Sequence, residues 1–143
     1  MHPKTIEDVF NSPTCSIAKF KAEAGETKAR ALMVYILADT IQALNVGKTM
    51  NDIQIARTSD LILDEFFYLK PEDFKLCFDR ALMGKYGVAF DRLDTQIVFS
   101  WLYKYCTDRA EKADDSSYQD HIRIKESKNI EVQPLRNIYT KAK

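Results

Sequence analysis

Across residues 26–44, Ala29, Leu32, Met33, Ile36, Leu37, Thr40, Ile41 and Leu44 recur at steps of three and four. That spacing places all eight on one broad stripe of an α-helix, because a strand would bring together every second residue instead. A stripe of this width has to be buried, so the rest of the chain must supply elements that pack on it. The sequence favours helices for that purpose as well. Only four glycines and four prolines interrupt 143 residues, and 45% hydrophobic with 29% charged residues is the balance of an ordered chain. A chain of this length fits one domain that buries roughly two-thirds of the surface its unfolded form exposes, with no need of a disulfide or metal staple.

The expected fold is therefore all-α: four to six helices in an orthogonal or bundle-like packing over residues 1–113, with a carboxy-terminal extension over 114–143 that is extended or forms a hairpin. Ile6, Val9 and Phe10 mark a short amphipathic turn, and Ser12 before Pro13 reads as the N-cap of a second short helix over 13–22. Asn45-Val46-Gly47 stops the helix over 26–44, and Thr49 or Asn51 can cap the next, over 52–67. Pro71-Glu72-Asp73 opens a helix over 71–83, with proline at its first position and two carboxylates where the helix dipole favours them. Gly84 is placed to cap it. Asp91 or Asp94 can then start a helix through Ile97, Val98, Trp101, Leu102 and Tyr105, expected at the centre of the core. Asp114-Asp115-Ser116-Ser117 reads as an exit from the compact body. Beyond it, residues 121–125 alternate like a strand that Ile130-Glu131-Val132 could pair with, and a continued helix fits nearly as well. Pro134 sets off Leu135, Ile138 and Tyr139 as a small apolar face.

Charge and composition narrow the function classes. Positive and negative side chains balance at 21 each, so no global basic field draws the chain onto nucleic acid, although from His121 onward six basic residues face two acidic ones. No apolar leader follows Met1 and no window approaches 18 consecutive apolar residues, so neither secretion nor membrane spanning is expected. Cys15, Cys77 and Cys106 read as reduced thiols of a cytoplasmic protein. With only His2 and His121 available and the cysteines far apart, no metal site, cofactor or nucleophilic triad is expected. Glu72/Asp73 and Asp91/Asp94 are explained by helix starts rather than acid–base chemistry.

Two loops invite sharper readings. Gly84-Lys85-Tyr86-Gly87 lacks the spacing and the Lys-Ser/Thr ending of a phosphate loop, and it reads first as a helix-to-helix corner with Tyr86 closing over the core. A partner-binding loop is the competing reading. Asn51, Gln54 and Arg57 offer either a polar recognition edge or, preferably, a solvated helix face. The aromatic side chains are more numerous than one helix face can bury, and Phe67, Phe99 and Tyr103 are candidates for an exposed patch that meets a partner or a second copy of the chain.

Lys48-Thr49-Met50-Asn51 through Gln54, Tyr68-Leu69-Lys70-Pro71-Glu72-Asp73-Phe74, Gly84-Lys85-Tyr86-Gly87, Arg92-Leu93-Asp94, and Trp101-Leu102 with Tyr105 and Arg109 form a recognisable pattern. Over roughly residues 14–112 the chain resembles a family of small proteins of unknown function from phages and mobile elements of gut bacteria. The resemblance implies a small cytoplasmic accessory protein of element replication or maintenance, and it carries over no catalytic residue. The leading expectation is a non-enzymatic helical adaptor that binds a protein, in the manner of a helicase loader, through Lys85, Tyr86, Arg92, Tyr103, Leu135, Ile138 and Tyr139. The alternative is a nucleic-acid-binding regulator using Lys85, Arg92, Lys104, Arg109, Arg123 and Lys125.

Overall fold

The computed structural model describes residues 3–44, 46–87 and 92–131, with side chains as far as Asp115. Among these residues six helices follow one another: α1 (Ile6–Phe10), α2 (Ile17–Ala24), α3 (Glu26–Ala43), α4 (Asp52–Glu65), α5 (Pro71–Leu82) and α6 (Thr95–Glu131). Among the described residues there is no strand, only one parallel bridge between Lys48 and Arg92, so the fold is all-α as the periodicity predicts. The chain divides into two compact units, Met1–Thr107 and Asp108–Lys143. The first holds α1 to α5 and the start of α6; the remainder of α6 belongs to the second.

Most helix ends follow from local chemistry. The α3 stripe is buried at Ala29, Met33, Ile36, Leu37 and Thr40, and α3 packs on α2, α4 and α5. Asn51 rather than Thr49 caps α4, in a box where its side chain accepts from the Gln54 amide at 2.9 Å and the Gln54 side chain accepts from the Asn51 amide at 2.9 Å. Two of the three polar side chains of the candidate recognition edge, Asn51 and Gln54, are thus turned onto their own backbone. Asp94 starts α6 by accepting from the Ile97 amide at 3.0 Å, while Asp91 lies outside the described residues. At the end of α5, the Lys85 amide donates to Arg80 O and the Gly84 amide to Ala81 O, each at 3.0 Å, with Gly84 at φ 82°. This is the reciprocal pair of a Schellman cap, and it needs a left-handed residue. Gly84→Ala is expected to cost about 1 kcal/mol, seen as a lower urea midpoint with an unchanged slope.

Two expectations are corrected. α2 begins at Ile17, not Pro13, because the Ser16 hydroxyl accepts from the Lys19 amide at 3.3 Å, and the Ile17 and Ala18 amides find acceptors in Leu69 O at 2.7 Å and Phe67 O at 3.0 Å. Ser12, predicted as the cap, instead turns its hydroxyl to the Glu72 carboxylate, which also accepts from Thr14. At the other end, α6 passes unbroken through Asp114-Asp115-Ser116-Ser117 and through the stretch whose alternation allowed a strand. No glycine or proline stands between Gly87 and Pro134, so nothing in the sequence obliges the helix to stop, and alternation over five residues is too short to outweigh that.

The core of the first unit gathers Val9, Ile17, Met33, Leu37, Ile62, Phe66, Leu69, Phe74, Leu102 and Tyr105, all fully buried. Asp73 is buried with them, accepting from the Lys70 amide at 2.8 Å and from the Tyr105 hydroxyl, while the Arg80 guanidinium lies 5.7 Å from the centre of the Tyr105 ring. The amino-terminal arm is fastened by the Lys70 ammonium, which donates to Val9 O at 3.1 Å and Ser12 O at 2.9 Å. A cation there complements the carbonyl end of α1. Lys70→Met is expected to cost about 1–2 kcal/mol and to speed amide exchange in α1 ahead of the other helices.

Candidate partner-binding surface

The five residues between α4 and α5 turn the chain while one aromatic ring goes in and two stay out. Phe66 is 1% exposed, Phe67 54% and Tyr68 45%. The turn is held from behind by α2, whose first two amides donate to Phe67 O and Leu69 O. Those amides are donors that a helix start always leaves unpaired within the helix, so the contact satisfies α2 and immobilises the turn together. Phe67 and Tyr68 are consequently displayed on a fixed backbone, their rings edge to face at 5.6 Å.

α6 completes the surface. Phe99, Tyr103 and Cys106 follow at steps of four and three, which is one helix face. The Phe66 ring meets Phe99 at 5.5 Å and Tyr103 at 5.2 Å, and Phe99 meets Tyr103 at 6.1 Å. One turn further on, the Tyr68 hydroxyl donates to Cys106 Sγ at 3.2 Å, bringing the turn across the same face. Tyr103, 51% exposed, donates its hydroxyl to Glu65 Oε1 at 3.1 Å. The result is two aromatic groups on neighbouring elements: Phe67 with Tyr68 on the turn, and Tyr103 with half-buried Phe99 around Phe66, joined where Tyr68 reaches Cys106 on the α6 face. Glu65 borders this surface through the Tyr103 hydroxyl, and Asp64 precedes Glu65 in the last turn of α4, both exposed.

Partial burial and the Glu65 carboxylate hold the Tyr103 phenol above its ordinary range. Glu65→Gln is expected to return it toward that range, read as an earlier phenolate band in an alkaline absorbance titration. Cys77 is buried beneath, and burial, with a further contribution from Cys106, pushes its thiol well above the usual range. The fold therefore favours the neutral thiol. Its contribution to stability is complete below the ordinary thiol range and is lost as pH rises through the raised value. Cys77 is expected to resist alkylation until the chain unfolds, while half-buried Cys15 and Cys106 react first, a difference that mass spectrometry of labelled peptides would show.

The residues singled out from the sequence fall in separate places. Lys85 is exposed on the turn after α5, whereas Tyr86 is only 8% exposed and joins the core. Arg92 is exposed and pairs with Asp94 at 3.6 Å. The Lys104 ammonium donates to Tyr86 O at 3.1 Å, so Lys104 belongs with this corner while its neighbour Tyr103 faces the end of α4. Arg109 is half-buried in the second unit. The backbone of Arg123 and Lys125 is helical, with their side chains outside the described ones, and Leu135, Ile138 and Tyr139 lie outside the described residues altogether. Sequence reasoning picked out Phe67, Phe99 and Tyr103 but missed Tyr68 and its contact with Cys106, for which no local signal exists.

Other chemistry is sparse among the described residues. A cavity of about 50 Å³ lies between the ends of α3 and α5 and the start of α6, lined by Leu44, Leu82, Gly84, Arg92, Ile97 and Trp101 among others. It is far smaller than a ligand pocket of about 300–1,000 Å³. No three His, Cys, Asp or Glu side chains converge among the described residues, and no described helix is long and apolar enough to cross a membrane. No protein-family model, curated protein or solved structure matches the chain.

Proposed function

We propose that this chain is a non-enzymatic helical adaptor that docks a protein partner on the surface made by Phe67, Tyr68 and Tyr103. The observation that carries the reading is the pinned turn: the backbone that displays two large exposed rings is held by hydrogen bonds from the α2 amides to Phe67 O and Leu69 O. Aromatic side chains displayed on a fixed backbone lose little entropy on binding, and they dominate the energetics of protein interfaces. The sequence resemblance supplies the setting we propose, an accessory protein of phage or mobile-element replication acting as a helicase loader does. A nucleic-acid regulator has less support, since Lys104 and Arg92 already serve Tyr86 O and Asp94.

A photo-cross-linking side chain placed at Phe67 in the full chain tests this in the host of the element. Ile53, also exposed and about 18 Å along α4 from Glu65, is the control. The expected result is one protein captured at position 67, absent at position 53, and lost when Tyr103→Ser is added. Capture of a replication protein supports the proposed setting, and capture of the chain itself reveals a homo-oligomer. Equal labelling at both positions, or none at position 67, removes the adaptor reading.

A further inference from the structure

We propose that the segment received by this aromatic surface is a basic amphipathic helix of another protein, whose apolar face covers Phe67 and Tyr68 and whose arginine or lysine side chains pair with Asp64 and Glu65. The inference rests on the adaptor reading and adds the chemistry of the partner.

Its first support is the position of the carboxylates. Asp64 and Glu65 occupy the last turn of α4, where the helix carries its own partial negative charge, and no basic residue stands in that turn. Several other acidic side chains sit where local folding explains them. Asp8 closes the capping box of α1, Asp73 that of α5, and Asp60 pairs with Arg30 at 2.6 Å. Glu23 and Asp79 share the last turns of α2 and α5 with Lys21 and Arg80, whereas the last turn of α4 holds its two carboxylates against the helix dipole with no basic residue, next in sequence to the exposed Phe67 and Tyr68. The second support is geometric: the Tyr103 hydroxyl holds Glu65 at 3.1 Å, which keeps a negative charge at the edge of the ring surface. A third is the character of the rings. Faces of Phe67, Tyr68 and Tyr103 attract cations, arginine above all, while the two phenol hydroxyls are already engaged with Cys106 and Glu65. Aromatic area alone would accept any apolar segment; the carboxylates select a basic one and repel an acidic one or a phosphate backbone.

The test uses two fluorescein-labelled synthetic peptides with the same leucines at helical spacing, one carrying arginine and lysine at its polar positions and the other glutamate. Anisotropy titrations against the full chain are expected to show the basic peptide binding at least about tenfold more tightly at low salt, with the advantage shrinking as salt is added. Asp64→Lys combined with Glu65→Lys should remove the preference, and Tyr103→Ser should weaken both peptides, with far-UV circular dichroism confirming retained helix. If the double reversal unfolds the chain, Asp64→Asn alone should still reduce the preference. Equal affinity, a preference for the glutamate peptide, no binding of either, or tighter binding of a labelled oligothymidylate overturns the inference. Equal affinities that both fall with Tyr103→Ser would remove the basic partner and leave the adaptor standing, whereas failure of the cross-linking experiment at position 67 removes the adaptor itself.

Discussion

Phe66→Ala is expected to lower the unfolding free energy by about 3–5 kcal/mol and to dissolve the aromatic surface with it. The ring is 1% exposed, so the substitution removes its whole transfer free energy and leaves a cavity that α4 and α6 cannot fully close. It also removes the edge contacts to Phe99 and Tyr103, each worth about 0.5–1.5 kcal/mol beyond area. Against a typical domain stability of about 5–15 kcal/mol this is a large share. Urea denaturation would measure it, and near-ultraviolet circular dichroism would report the loss of ordered aromatic packing. Phe66→Leu, which refills most of the volume, should recover a good part of the stability without restoring the ring contacts. A loss below about 1.5 kcal/mol for the alanine variant would mean that Tyr103 and Phe99 are positioned by something other than Phe66.

Asp73→Ala is the second large effect, expected at about 2–4 kcal/mol. The carboxylate accepts from the Lys70 amide at the start of α5, a cap worth about 1 kcal/mol. It also accepts from the buried Tyr105 hydroxyl, and withdrawing an acceptor from a buried donor costs about 1–3 kcal/mol more. Tyr105→Phe alone should cost less, because it removes the donor along with the bond. A double-mutant cycle of the two separates these contributions: the pair is expected to show a coupling of about 0.5–3 kcal/mol, and additive losses would refute the link between α5 and α6 through this bond. Neither variant alters an exposed residue of the aromatic surface, so partner capture through Phe67 should persist in the fraction that remains folded.

These two sites also mark how far the sequence could be read. Pro71 with Glu72 and Asp73 announces the start of α5, and that assignment needed nothing but spacing. What could not be read is that Asp73 is wholly buried and serves Tyr105 on another helix. The candidate surface divides in the same way. An excess of aromatic residues is visible as a count, yet Phe66, Phe67 and Tyr68 are consecutive and nothing local says which enters the core. Tyr86 reads first as closing over the core and second as a partner contact, Tyr103 as a candidate for an exposed patch; one is buried and the other half in solvent.

By itself the sequence determined the periodicity of α3 and the glycine end of α5, and it narrowed the caps of α4 and α6 to two candidates each, because these depend on groups within a few residues and on backbone geometry that propagates along one helix. Only the tertiary structure decided the start of α2, the pinning of the Phe67–Tyr68 turn and the meeting of Tyr103 with Glu65. Ser16 adds a local cap at the start of α2, but in all three a donor also finds its acceptor on a distant element, and the chain carries no local record of which carbonyl or carboxylate will be brought to it.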